Sequence, residues 1–143
     1  MDSGFRYTVF IGRADAEVWN ALTTRSVIDR YYIAPVTALE LKTGGRISYG
    51  SKESDSITGV IAEIDEPRKL VHSFRFMGSD DPDSIVTYEI KALGGAMCVL
   101  DITHTGFAIE SQAYADIAGG WPVIASSLKT LLETGEPLPW PKG

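Results

Sequence analysis

The sequence predicts an α+β fold in which a curved antiparallel sheet of about seven strands closes over one long C-terminal helix, with two short helices after the first strand. Three observations predict it. At the N-terminus Phe5, Tyr7, Val9 and Ile11 alternate with Arg6 and Thr8, the period-two pattern of a half-buried strand. Between residues 36 and 105 short apolar-alternating segments are divided by turn chemistry at Gly44-Gly45, Asp65-Glu66-Pro67-Arg68 and Gly94-Gly95-Ala96. Near the C-terminus Ile117, Trp121, Ile124, Leu128 and Leu131 recur every three or four residues, one continuous helical stripe.

The elements follow in order. Asp15 is placed to cap a first helix carrying Val18, Trp19 and Leu22, with Glu17 in its first turn where the helix dipole favours an anion. Thr24 or Ser26 can cap a second helix bearing Val27, Ile28 and Tyr31, which must end before Pro35. Strands are expected at 36–42, 46–49 and 57–64, paired antiparallel because their turns are short. The next strand puts Leu70, His72, Phe74 and Phe76 on one face, taken as the inner one, and its register is read as setting His72 beside Tyr88. For the last two strands, matching the faces favours a three-residue loop that pairs Ala92 with Cys98, Ile90 with Leu100, Tyr88 with Ile102 and Val86 with His104. Thr87, Glu89, Lys91, Asp101 and Thr103 then share the solvated face. The final helix is expected from about residue 111 to 134, with a kink or break where Gly119-Gly120 precedes Pro122, or a start near Gly120.

Composition bounds the function. The 143 residues suit one domain spanning 1–143, with 44% hydrophobic and 22% charged residues. No apolar run approaches the ~18 residues that cross a bilayer. The N-terminus lacks a basic start followed by an apolar stretch, so a cytoplasmic location is expected. The 13 Lys and Arg are scattered in a chain of net charge −6, which removes the electrostatic footprint of nucleic-acid binding. Cys98 is the single cysteine and reads as a small buried hydrophobe.

Several segments, taken together, carry a resemblance. They are Val18-Trp19-Asn20-Ala21-Leu22-Thr23, Gly44-Gly45-Arg46 and Glu63-Ile64-Asp65-Glu66-Pro67-Arg68-Lys69-Leu70-Val71. Further on come Val86-Thr87-Tyr88-Glu89-Ile90, Thr103-His104-Thr105-Gly106-Phe107 and Gly120-Trp121. In this order and spacing the chain resembles the START-related, birch-pollen-allergen-like (SRPBCC) superfamily, and within it the homologues of the heat-shock-protein-90 ATPase activator. The resemblance implies the helix-grip fold and admits a role in stress response with a chaperone as partner. Tyr31-Tyr32 stands where many relatives carry a tryptophan pair.

Catalytic and metal motifs are scarce. His72 and His104 lie on strands separated by a third, too far apart at a spacing of about 4.8 Å per strand to share a metal directly. No metal or cofactor is expected. Ser126-Ser127-Leu128-Lys129 matches a bare Ser-x-x-Lys pattern without its companion motifs. What remains is a concave apolar face with a few polar groups, the composition of a small-molecule pocket. Its candidate ligand-binding residues are Tyr7, Trp19, Tyr49, His72, Phe74, Tyr88, His104, Trp121, Ile124 and Leu128. His72, Tyr88 and His104 would orient the polar end of a small hydrophobic molecule, and Trp19, Phe74 and Trp121 would cover its apolar body. Two other readings are a chaperone-associated interaction protein and a cyclase or hydrolase with His72 or His104 as acid-base. The chain is expected as a monomer or weak homodimer.

Overall fold

The computed structural model describes residues 4–32, 34–50, 55–77, 83–106 and 112–139, with the side chains of 112–119 outside the description. Strand β1 (Gly4–Ile11) is followed by helices α1 (Asp15–Thr23) and α2 (Arg25–Tyr31). Then come β2 (Val36–Leu39), β3 (Arg46–Gly50), β4 (Asp55–Asp65), β5 (Lys69–Phe76), β6 (Ser84–Ala92), β7 (Cys98–Thr105) and helix α3 (Gln112–Thr134). The strands form one seven-stranded sheet in the order β1-β7-β6-β5-β4-β3-β2, every described pair antiparallel. Register shifts interrupt β2–β3, β3–β4 and β4–β5. Bulges of this kind bend a sheet, and here they curve it over the helix.

The sheet realises the alternation that the sequence carries. Leu70, His72 and Phe74 of β5 are buried, as are Ser84, Val86, Tyr88 and Ile90 of β6, and Cys98, Leu100, Ile102 and His104 of β7. The β6–β7 register is the expected one at all four pairs, and the loop closes through the Leu93 N–H donating to the Met97 carbonyl at 2.9 Å. On the outer face Asp101 accepts from Thr8 Oγ1 and pairs with Arg6 at 3.3 Å, while Glu63 pairs with Lys69 at 3.5 Å. Those carboxylates are surface groups.

Three local expectations are corrected. The residue before α1 that takes the cap position is Ala14; Asp15 is the first helical residue, and the Glu17 carboxylate accepts from the Ala14 N–H at 3.2 Å. Strand β2 stops at Leu39, because Glu40 turns the chain and its carboxylate accepts the Arg46 N–H at 2.9 Å. Gly45 is required there: a Cβ would lie 2.0 Å from the Glu40 carbonyl oxygen. Helix α3 runs unbroken from Gln112 to Thr134 with Pro122 inside it. Packing of the stripe explains that continuity, since tertiary burial outweighs local propensity.

Helix α3 buries Trp121, Ile124, Ala125, Leu128 and Leu131. Its last turn ends at Gly135, whose φ of 89° allows its N–H to reach the Leu131 carbonyl at 2.8 Å. That end is also tied to β1. Lys129 Nζ donates to the Phe10 carbonyl and to Glu133, both at 2.6 Å, and the Gly12 N–H donates to Glu133 at 2.6 Å. The hydrogen bonds from Lys129 and Gly12 hold the Glu133 carboxyl below its ordinary range. Lys129 of the Ser-x-x-Lys pattern is thereby spent on structure, and Ser127, next to the pattern's Ser126, is buried and accepts the Leu138 N–H at 3.2 Å.

Candidate functional site

Under α3 the inner face is a continuous cluster of rings. Trp121 is its hub, meeting Tyr32 at 6.3 Å, Tyr88 at 6.0 Å and His104 at 6.1 Å between ring centroids, all edge-on. Tyr32 stacks on Tyr49 at 4.3 Å. His72 lies 5.9 Å from Tyr88, and His104 lies 4.7 Å from Phe74, which in turn meets Phe76 at 5.1 Å. Strands β3, β5, β6 and β7, the end of α2 and the middle of α3 therefore converge on one place.

His104 is fully engaged. The Trp121 indole N–H can only donate, so Nδ1 of His104 accepts it, at 3.0 Å. In the neutral ring the proton must then sit on Nε2, which donates to Ser84 Oγ at 2.6 Å. The Ser84 hydroxyl passes its own proton to the Phe74 carbonyl at 3.2 Å. This chain runs from α3 through β7 and β6 to β5, with each donor matched to one acceptor. Burial, with a smaller contribution from His72, holds the His104 pKa down to about 3, so the ring is neutral across the physiological range.

His72 is only half engaged. Its Nδ1 lies 2.7 Å from the Ser73 carbonyl, which can only accept, so Nδ1 carries the proton and Nε2 carries the lone pair. Nε2 is buried and has no hydrogen-bond partner among the described residues. Burial lowers the His72 pKa to about 4, against a smaller opposing effect of the Ser73 bond. Local backbone geometry sets this tautomer. Just before Ile61, which pairs with His72, the Val60 N–H donates to Ser73 Oγ at 2.9 Å, and the Ser73 carbonyl sits over Gly59, where a Cβ would be 1.9 Å from its oxygen. Glycine is what lets the two strands approach there.

Four phenols complete the cluster. Burial raises the pKa of Tyr31, Tyr32, Tyr49 and Tyr88, and for Tyr31, Tyr32 and Tyr88 the neighbouring phenols add to that rise, so all four stay protonated. Tyr31 donates to the Ala21 carbonyl at 2.9 Å, pinning α2 to α1. The buried polar residues here are Ser48, His72, Ser84, His104 and Ser127, so among the described residues no charged side chain is buried. No group of three or more metal-ligating side chains occurs among them either.

Of the ten residues expected to line a site, Tyr49, His72, Phe74, Tyr88, His104 and Trp121 share this ring cluster. Ile124 and Leu128 are buried on the same stripe of α3. Tyr7 is half-buried on edge strand β1 beside Ile102. Trp19 is placed elsewhere: its indole N–H donates to Glu66 at 2.8 Å at the β4–β5 turn, and its ring edges a surface groove with Pro67. The His72 register also differs from expectation. His72 pairs with Val86 and Tyr88 with Leu70, so Val86 separates the two histidines directly. Tyr32, Phe76, Ser84 and Gly59 were not among the ten expected lining residues; the alternation that put Phe76 on the inner face and the doubled Tyr31-Tyr32 were the visible signals for the two aromatic ones, and Ser84 and Gly59 had none.

A bent seven-stranded sheet gripping a long helix, with aromatic and imidazole groups between, defines the helix-grip class. Residues 14–133 match the family model described as activator of Hsp90 ATPase homolog 1-like protein, and the chain belongs to that family. Among curated proteins no sequence matches it. PFC0360w, an HSP90 activator from Plasmodium falciparum, superposes with a TM-score of 0.78 at 24% identity, over 91% of this chain and 96% of that one. The Aha1 dimer from Colwellia psychrerythraea gives 0.78 at 14% identity, covering 93% and 98%. CalU16 from Micromonospora echinospora gives 0.76 at 21%, covering 92% and 77%. At these identities the likeness is one of fold.

Proposed function

We propose that this protein binds a small hydrophobic molecule between its sheet and α3, without transforming it. The observation that carries the reading is the buried Nε2 of His72, which has no hydrogen-bond partner among the described residues although it stands in a cluster of rings. Leaving a buried acceptor unpaired costs about 1–3 kcal/mol, and a ligand hydrogen bond would recover it. The surrounding rings offer flat apolar contact, the usual lining of such pockets. A general acid-base role is less well supported, since His104 has both nitrogens occupied and His72, with a pKa near 4, is a weak base at neutral pH.

The test is a panel of neutral polycyclic aromatics and long-chain alcohols, followed by Trp fluorescence and melting temperature. A ligand at 100 times its Kd should stabilise the fold by about 2.7 kcal/mol. Absence of any shift across the panel removes the reading.

A second reading has its own support in the family and in the likeness to an HSP90 activator. In it the protein acts on a chaperone through its outer sheet face, where Val60 and Met77 are exposed beside the Arg46–Asp55 and Arg75–Asp83 pairs. Pull-down with the cell's own heat-shock ATPase, repeated after charge reversal at Arg46 and Arg75, separates this from the first. Loss of capture would favour the chaperone role; no capture by the native protein would end it.

A further inference from the structure

We propose that the free edge of β1 is a self-association surface, through which two copies of this chain pair antiparallel about a two-fold axis at Tyr7. The inference is independent of the ligand and chaperone readings above and starts from the two edges of the sheet.

The edges differ. Strand β2 is four residues long and broken by a register shift, and its Val36 gives its N–H to Asp29 at 2.8 Å and its carbonyl to Arg25 at 3.1 Å. Such an edge is closed to further pairing. Strand β1 is eight residues long, and its ladder with β7 runs through all of them without a shift. Phase fixes which of its backbone groups face out. The Leu93 N–H donates to Met97, so Val99, Asp101 and Thr103 of β7 bond β6, while Leu100, Ile102 and His104 bond Val9, Tyr7 and Phe5. Gly4, Arg6, Thr8 and Phe10 therefore turn their N–H and C=O groups outward. Among the described residues only Lys129, on the Phe10 carbonyl, meets any of these backbone groups.

An open edge of this length is a template for another strand, and its side chains select a second copy of itself. In an antiparallel pair centred on Tyr7, Arg6 lies opposite Thr8 of the second copy, and Phe10 opposite its Gly4. On the outer face Arg6 and Thr8 already share Asp101, which Arg6 meets at 3.3 Å. Pairing brings the second copy's Asp101 two strand spacings, about 10 Å, from the Arg6 backbone, within joint reach of the two side chains. The same contact recurs in the other direction, as two-fold symmetry requires. Phe10, 55% exposed, covers the second copy's Gly4 and donates its N–H to that carbonyl, while Lys129 keeps the Phe10 carbonyl and closes the ladder. On the inner face the half-buried Tyr7 meets its own counterpart at a non-hydrogen-bonded position, where side chains approach most closely. Neighbouring registers lose this match. Centring on Arg6 sets two guanidinium groups against each other, and centring on Thr8 moves Arg6 two residues away from the second Asp101.

Sedimentation velocity of the full chain over a concentration series tests the proposal. One strand edge buries less than a standard interface, so a reversible monomer–dimer equilibrium weaker than about 1 µM is expected. Thr8→Pro removes an outward N–H where an edge strand tolerates proline, and should raise the dissociation constant at least about tenfold. Arg6→Glu and Asp101→Lys should each weaken association, and an equimolar mixture of the two should recover it, because only across the two chains are opposite charges restored. Under mild oxidation Tyr7→Cys should cross-link to a dimer, whereas Phe5→Cys, facing Val9 of the second copy, should not; the native Cys98 is buried. A monomer at every concentration up to about 1 mM overturns self-association. A dimer indifferent to Thr8→Pro overturns the surface, and equal cross-linking at the two cysteine positions overturns the axis at Tyr7. Should Thr8→Pro not fold, the mixture decides: association no stronger than in either charge variant alone overturns the pairing.

Discussion

His72 and His104 occupy the same inner face of the sheet, separated by Val86, and both are buried and neutral, yet they are wired differently. His104 joins three strands to α3 through Trp121 and Ser84, and each nitrogen has a partner. Among the described residues the His72 ring bonds only the carbonyl of the next residue along its own strand. The difference teaches that burial alone does not mark a binding residue. A satisfied imidazole is part of the frame, and an imidazole with a lone pair left over is where a guest can be recognised.

Leucine substitutions give the largest contrast. Replacing His104 by Leu leaves the Trp121 N–H without its acceptor and takes the donor from Ser84, and should cost about 3 kcal/mol. The same change at His72 takes the donor from the Ser73 carbonyl but also removes a buried acceptor that has no described partner; the two effects offset, and the net cost should be less than about 1 kcal/mol. Denaturant midpoints at unchanged slope measure both. Equal losses at the two positions would show that His72 is as much a part of the frame as His104.

Acid gives the next effect, and it should be common to both. Each ring binds its proton more weakly when folded, at about 4 for His72 and about 3 for His104, than the ordinary value of 6.5. Below 6.5 the unfolded chain therefore takes up protons that the folded one refuses. The contribution to stability is whole above 6.5, declines as pH falls, and levels off below the folded values. Between pH 7.5 and 5 each histidine should remove about 2 kcal/mol. His72→Leu should abolish one half of that slope. A native curve flat over this interval would mean that the rings are solvated.

The sequence carried the fold well where faces constrain it. On β6 and β7 a one-residue slip would have placed Glu89 and Asp101 inside, so the register Tyr88–Ile102 and Val86–His104 could be read from the alternation. Between β5 and β6 it could not. The expected pairing of His72 with Tyr88 differs from the observed pairing with Val86 by two residues, and a two-residue slip keeps every side chain on its own face. The hydrogen bonds of the site were hidden for a related reason. Ser84 meets His104 across twenty residues of sequence, and Gly59 shapes the tautomer of His72 from a neighbouring strand. Nothing in local periodicity specifies such meetings. The candidate rings were legible because they are large and inward-facing; which of them has hydrogen-bonding capacity to spare became visible only with partners in place.

The mildest experiment perturbs nothing. Long-range ¹H–¹⁵N correlation distinguishes the two neutral forms of each imidazole, and the two rings should differ. His104 must protonate Nε2, because an indole N–H occupies the lone pair of Nδ1. His72 must protonate Nδ1, because a carbonyl faces it at 2.7 Å. Opposite tautomers on two histidines of one face would follow from nothing in their burial, which is alike, and only from the groups they address. Were both found protonated on Nε2, the His72 lone pair would face Ser73, its N–H would face the rings, and the guest would have to be an acceptor.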